Sequence, residues 1–287
     1  MSVHHHEDTY FIPEPSKWPF IAMLSVLTLL IGTALSIHSF AIGPYTAAGG
    51  FFLLLFLFYG WFGDVIDESR SGCYNKQVDR SFRIGMMWFI SSEFFFFLCF
   101  FGTLFYIRMY ALPWLSGEGY LGSTNELYNG FQAVWPTSGP QNVEFTSMGA
   151  LGIPLINTIL LLSSGVTITW AHHALKQNNQ KHLILGLIAT VILGLVFVGF
   201  QAYEYIHAYS ELNLTLKTGV YGSTFYILTG FHGFHVILGV TMLIVITVRA
   251  MKGHFTPENH FAFEAVAWYW HFVDVVWLGL YLFVYWL

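Results

Sequence analysis

The chain has 287 residues, of which 55% are hydrophobic, 19% aromatic and only 9% charged, and its net charge is −5. A soluble globular domain carries about 25% charged residues, so the composition excludes a disordered chain, a nucleic-acid binder and an ordinary water-soluble enzyme. It fits a polytopic membrane protein with no nucleic-acid partner.

Residues 1–19 form a polar tail with no apolar core followed by a cleavage site, so a secretory signal peptide is not expected. His4, His5 and His6 in this tail are either weak metal ligands or part of a disordered segment. A bilayer core of about 30 Å takes about 20 apolar residues of helix, and seven stretches qualify: roughly 20–40, 45–66, 82–110, 148–175, 181–209, 221–250 and 261–287. The predicted fold class is therefore an all-α membrane protein with seven transmembrane helices. The connection 67–81 is short and polar, and the loop 111–147 is the longest. That loop is rich in Gly, Pro, Ser and aromatics, and is read either as an ordered cap on the helix ends or as a free linker. No extramembrane segment is long enough for a soluble domain.

Nine of the eleven basic residues fall on the side of the N-terminus: Lys17, Arg70, Lys76, Arg80, Arg83, Lys176, Lys181, Arg249 and Lys252. Only Arg108 and Lys217 fall on the other. The positive-inside rule makes the N-terminus cytoplasmic and the C-terminus, with loop 111–147, periplasmic.

Ionisable groups within a bilayer are costly and face protein or water. Glu93 stands ten residues past Arg83, about 15 Å along a helix, near the membrane midplane. Desolvation disfavours its charged form, so a neutral acid is expected. It either relays protons or hydrogen-bonds a neighbouring helix. His232 and His235 share one face of the sixth span, and His271 lies three residues before Asp274 on the seventh. These histidines are haem ligands in a membrane cytochrome or, on the blander reading, satisfied core side chains. His172 and His173 are adjacent, so they diverge by about 100° and cannot share a ligand site. Gly186, Gly194, Gly230, Gly233 and Gly239, with the hydroxyls of span four, fit close helix packing. Cys99 sits in a Phe-rich run and is expected to be a buried small hydrophobe. Trp18, Trp61, Phe62, Arg83, Trp170, Arg249, Lys252 and His254 mark the cytoplasmic helix ends, where aromatics and cations suit lipid headgroups.

Several runs resemble a known family. Phe261-Ala-Phe-Glu264-Ala-Val-Ala-Trp268-Tyr-Trp270-His271-Phe-Val-Asp274-Val-Val-Trp277 is similar to the signature of cytochrome c oxidase subunit III. So are Tyr221-Gly-Ser-Thr-Phe, Thr229-Gly-Phe-His232-Gly-Phe-His235-Val, and Asn157-Thr with Ser164-Gly-Val-Thr-Ile-Thr-Trp170-Ala-His172-His173. Arg83-Ile-Gly-Met86 with Ser92-Glu93, and Trp135-Pro136 in the outer loop, complete a resemblance running from about Tyr10 to Leu287. It implies a V-shaped bundle in which helices 1–2 split from helices 3–7 around bound phospholipids. It implies no catalytic centre, haem, copper or other metal in this chain. It implies a complex in which subunits I and II hold haem and copper, subunit I packs directly on this chain, a small subunit IV is a further partner, and cytochrome c is the donor. The subunit would stabilise subunit I and support proton uptake during oxygen reduction. Glu93 matches the family's carbodiimide-reactive carboxylate. Trp61, Phe62, Glu68, Arg249, Lys252 and His254 are the lipid-contact positions, and His232, His235, Glu264, His271 and Asp274 are polar packing groups.

The second helix here reads Trp61-Phe62-Gly63-Asp64 where the family often has Trp-Trp-Arg-Asp, and Cys73 and Tyr74 replace a His pair. Tyr10-Phe-Ile-Pro13 and Ser16-Lys-Trp-Pro19 resemble bacterial members, which implies the bacterial inner membrane. Other readings are the quinol-oxidase counterpart, which lacks the first two helices, and an independent proton or ion carrier built on Glu93.

Overall fold

A computed structural model describes residues 11–140 and 143–287; His4, His5, His6 and Tyr10 lie outside the described residues. Its described residues form helices without strands, and seven helices are long and apolar enough to cross a membrane. These are α1 (Trp18–Ile37), α2 (Gly43–Arg70), α3 (Lys76–Leu115), α4 (Ile153–Lys176), α5 (Gln180–Ser210), α6 (Val220–Met251) and α7 (Phe261–Trp286). The all-helical expectation follows from solvent: lipid cannot satisfy backbone N–H and C=O groups, so each span satisfies its own.

The helices outrun the apolar stretches that announce them. The segment read as a loop over 67–81 is helical except at residues 71–75. The apolar run measures the hydrocarbon thickness, whereas helix continues into the headgroup region on local ion pairs. Arg83 Nε lies 2.7 Å from Asp79 Oδ2, and Arg70 lies 3.8 Å from Asp67. Likewise α3 does not stop at residue 110. It passes through a wide π turn at Ile107–Ala111 and ends at Leu115, so the outer loop starts later than its composition suggests.

Packing divides the chain into two compact units, Met1–Ile84 and Gly85–Leu287. In the first, α1 and α2 form a hairpin whose backbones touch at Gly32, Gly43 and Gly50, where a Cβ would strike the facing helix. Trp18 is buried over Gly60 and donates its indole N–H to Asp64 Oδ2 at 2.5 Å. It therefore braces the hairpin instead of lying at the lipid surface.

In the second unit, α7 carries the core. Trp270 and Trp277 are almost wholly buried with Phe197, Phe225 and Phe263. Trp270 fits between glycine notches on two helices: a Cβ on Gly194 of α5 would lie 2.9 Å from its ring, and one on Gly239 of α6 would lie 2.8 Å away. Its N–H donates to Ser164 Oγ of α4 at 2.8 Å, and Trp277 donates to Thr158 Oγ1 of α4 at 2.9 Å. Gly186 admits Ala171 in the same way, whereas Gly233 has nothing within 4 Å and Gly230 only the Tyr205 hydroxyl at 3.6 Å. Cys99 is exposed, not buried, because α3 shows most of its Phe-rich surface outward.

The described residues of the long loop pack against the helix ends. Trp135 and Phe145 pack on Tyr221, whose backbone N–H donates to the Thr137 carbonyl at 3.2 Å. Gly219, at φ 81°, lets the backbone pass against Ser138. Asn213 Nδ2 donates to the Glu144 carbonyl at 2.8 Å, and Thr146 N–H to the Leu212 carbonyl at 3.0 Å. Tying its backbone to the helix ends through specific hydrogen bonds is what a free linker would not do.

Substituting Gly239→Val should overpack the Trp270 seat and destabilise the chain by about 1–3 kcal/mol. Gly233→Val, in open space, should change stability little. Thermal unfolding of both variants in mild detergent checks this, and an equal loss would refute the notch.

Candidate functional site

The membrane carboxylate sits where three helices meet. From Arg83 to Arg108, a span of about 37 Å at 1.5 Å per residue, α3 carries no acidic or basic side chain except Glu93. Glu93 is therefore near the middle of any bilayer the helix crosses. Its Oε2 lies 2.9 Å from His235 Nε2 on α6. The Glu93 side chain is 22% exposed and His235 9%. Phe96 and Phe97 of α3 pack on the imidazole with ring centroids at 5.9 and 5.0 Å, and Tyr269 of α7 stacks on it from the other side at 6.4 Å.

The proton inventory follows from geometry. His235 Nδ1 lies 2.7 Å from the Phe231 carbonyl. A carbonyl only accepts, so Nδ1 carries a hydrogen. The contact between Nε2 and Oε2 then needs one more proton, held either as a carboxylic acid on Glu93 or as an imidazolium N–H on His235. The pair thus holds one proton beyond a carboxylate and a neutral ring. Ser91 and Ser92 do not take part: their hydroxyls donate to the Met87 and Phe89 carbonyls of their own helix. Sequence reading singled out both Glu93 and His235 but did not pair them, because 142 residues separate them.

The other polar positions are dispersed. His232 is fully buried against Phe197 and Trp277, with Nε2 3.4 Å from the Val273 carbonyl. It points away from the His235–Glu93 contact, so the two histidines do not present a shared ligand face. His271, with a 45% exposed side chain, lies 3.3 Å from Thr169 Oγ1 and 3.8 Å from Asp274 Oδ2. Asp274 has room because Gly165 faces it without a Cβ. Glu264 joins His172 and His260 at the start of α7, each at 3.4 Å. His173 is exposed, consistent with the divergence of the two adjacent rings. Sequence reading missed Glu204 as a buried group: it accepts a 2.5 Å hydrogen bond from the Tyr285 hydroxyl in the final turns of α7. Its spacing with Gln201 was the only signal.

The profile of the cytochrome c oxidase subunit III family matches residues 8–287. The chain belongs to the cytochrome c oxidase subunit III family. It is 42% identical over 278 residues to cytochrome c oxidase subunit 3 of the liverwort Marchantia polymorpha, covering 96% of each chain. It is 41% identical over 283 residues to the corresponding subunits of the carp Cyprinus carpio and the trout Oncorhynchus clarkii, covering 98% of each. A cytochrome c oxidase subunit III is a multi-pass membrane component of an oxidase complex and lacks a redox centre of its own.

Of the positions at which this family resemblance implies lipid contact, Glu68, Arg249, Lys252 and His254 lie at or just past helix ends, whereas Trp61 and Phe62 stand more than two turns inside α2 because that helix runs on to Arg70. In the first unit, Trp61 and Phe62 are exposed on α2, with Phe62 stacked on Phe58. Glu68 accepts a 2.7 Å hydrogen bond from the Tyr74 hydroxyl, so the residue standing in for a family histidine is tied back to α2. Burial, and then Glu68, push the Tyr74 phenol well above its ordinary value, which keeps it a neutral donor. In the second unit, the Arg249 guanidinium lies 4.7 Å above the Phe255 ring, Lys252 is exposed, and the His254 N–H donates to the Arg249 carbonyl at 3.0 Å.

Glu93→Gln should keep the α3–α6 contact, because an amide N–H can donate to His235 Nε2, while Glu93→Leu should lose about 1 kcal/mol. A carbodiimide should label the parent at Glu93 and neither variant. Unfolding in detergent and peptide mass spectrometry measure these; Gln as damaging as Leu would refute the hydrogen bond.

Proposed function

We propose that the chain is the non-redox accessory subunit of a proton-pumping terminal oxidase in aerobic electron transport. It seats subunit I, binds structural phospholipids and supports proton uptake by the complex. The family match across residues 8–287 carries this reading. Subunits I and II hold the haem and copper, a small subunit IV joins the assembly, and cytochrome c, named in the relatives' own designations, donates the electrons. Reduction of oxygen to water belongs to the complex and not to this chain.

Three features support the finer parts. The Glu93–His235 pair holds a proton at mid-membrane depth, which suits a role beside proton uptake. Arg249 and Lys252 supply cations at one end of α6, where a lipid phosphate would accept charge-assisted hydrogen bonds. The basic residues favour one side of the seven spans, so we place the N-terminus in the cytoplasm and the C-terminus in the periplasm. The bacterial inner membrane is the proposed location, on the strength of the segments Tyr10–Pro13 and Ser16–Pro19. The two N-terminal helices α1 and α2 favour the cytochrome c oxidase reading over the quinol-oxidase counterpart.

A mild-detergent pulldown with this chain should recover two larger redox subunits and a haem a reduced-minus-oxidised spectrum. Stripping the chain away should leave the haem with its partners; haem retained on this chain alone would overturn the proposal. Arg249→Ala should weaken phospholipid retention about tenfold or more and shorten the active lifetime of the oxidase. Lipid mass spectrometry and progress curves of oxygen consumption test it, and unchanged values would remove Arg249 from the lipid site.

A further inference from the structure

A second cluster lies far along the chain from Glu93, where the last turns of α4 meet the start of α7. His172 belongs to α4, His260 immediately precedes α7, and Glu264 lies on its first turn. His172 Nε2 and His260 Nε2 each stand 3.4 Å from the same oxygen, Glu264 Oε1. One ligand atom from each residue lies within 4.8 Å of the others.

These distances are long for hydrogen bonds, which centre near about 2.9–3.0 Å. Neither Nε2 atom has a hydrogen-bond partner among the described residues, although both are buried. The two distances to Glu264 instead match those between ligands of a tetrahedral ion. Bonds of about 2.0–2.1 Å to zinc put neighbouring ligand atoms about 3.3–3.4 Å apart.

The His260 ring is already set for such an ion. Its Nδ1 lies 3.1 Å from the Thr256 carbonyl, so that nitrogen carries the hydrogen. In the neutral ring, Nε2 then presents a bare lone pair towards a carboxylate oxygen. Two lone pairs in this position repel; a proton on Nε2 closes such a contact at the 2.9 Å seen for His235 and Glu93, whereas the 3.4 Å gap here leaves room for an ion between the two atoms. A backbone carbonyl fixing the tautomer of a ligand histidine is a common outer-shell arrangement at metal sites. Phe263 packs on His172 at 5.4 Å, and the two imidazoles are 5.7 Å apart, which leaves an apolar wall around the group. Lys176 stands one turn from His172 and works against the cation, so the site is tuned for moderate affinity.

We propose that His172, His260 and Glu264 bind one divalent transition-metal ion of the zinc type, clamping the end of α4 to the start of α7. Two imidazoles and one carboxylate leave a fourth position for water. The clamp stands independently of the oxidase assignment, because it is argued from this chain's own side chains.

The test uses the purified full chain in mild detergent, cleared of metal with a chelator. His4, His5 and His6 are first replaced by Ser, since three tail imidazoles would bind metal on their own account. Titration with Co²⁺ should give intense tetrahedral visible bands at one ion per chain, displaced by Zn²⁺. X-ray absorption of the zinc form should show nitrogen and oxygen neighbours at about 2.0 Å. His260→Ala should weaken zinc binding by at least about tenfold, the loss typical even of an outer-shell partner, and should remove the zinc-dependent rise in Tm. If His260→Ala does not fold, Glu264→Gln, which keeps the side-chain shape, carries the comparison. No stoichiometric binding by the parent, a six-coordinate cobalt spectrum, or equal affinity in the folded variant would each overturn the site and leave a plain His–Glu contact.

Discussion

The seat of Trp270 is the contact on which the larger unit depends. In a bilayer, lipid tails are as apolar as Leu, so burying hydrocarbon gives helices no reason to leave lipid for one another. What remains is close fit and hydrogen bonding. Trp270 supplies both: its ring fills notches that Gly194 and Gly239 open in α5 and α6, and its N–H reaches Ser164 on α4. One side chain of α7 thereby fixes three other helices. Trp277 repeats the arrangement two turns on, through Thr158 and against Phe197. The register of α7 is set twice, and every polar group on that helix inherits its position from those two indoles.

The fixed register explains why polar residues can be tolerated so deep. Thr167 and Thr190 share a 2.7 Å hydrogen bond, Tyr205 and Thr229 another, and Tyr285 reaches Glu204. Each joins two helices, so the cost of burying the polar atom is offset by specificity of packing. Glu93 follows the same rule through His235. It differs in that its contact needs a proton, so this tie between α3 and α6 is also a proton store.

The helices and their number were legible in the sequence because apolar length is a direct measure of bilayer thickness. Their ends were not. Asp67, Arg70 and Asp79 read as loop by hydropathy, yet they extend α2 and α3 through ion pairs of one helical turn, Asp79 with Arg83. The type of each site residue was legible too: a carboxylate amid phenylalanines is conspicuous. Its partner was not, since periodicity places His235 on a face of α6 without saying which helix that face meets. The exposure of Cys99 was missed for a related reason, because a run that is apolar all round gives no hint of which side touches protein. Among the glycines, composition alone could not separate Gly239, pressed on an indole, from Gly233, which faces open space.

The direction in which the Glu93 proton can move follows from the aromatic collar. From Glu93 the hydrogen-bond path runs through His235 and stops at the Phe231 carbonyl, which has no proton to pass on. Phe96, Phe97 and Phe100 of α3 and Phe231 of α6 crowd the same region, with Phe96 and Phe231 5.1 Å apart and Phe100 and Phe231 stacked at 5.3 Å. A relay along the chain's own side chains would need a second titratable group within hydrogen-bond reach of the imidazole, and its other nitrogen is already committed to the backbone. Exchange therefore passes through the exposed part of Glu93 itself. With its one described partner committed to the backbone, Glu93 has no through-path along the side chains of this unit, and that counts against a self-contained carrier built on it.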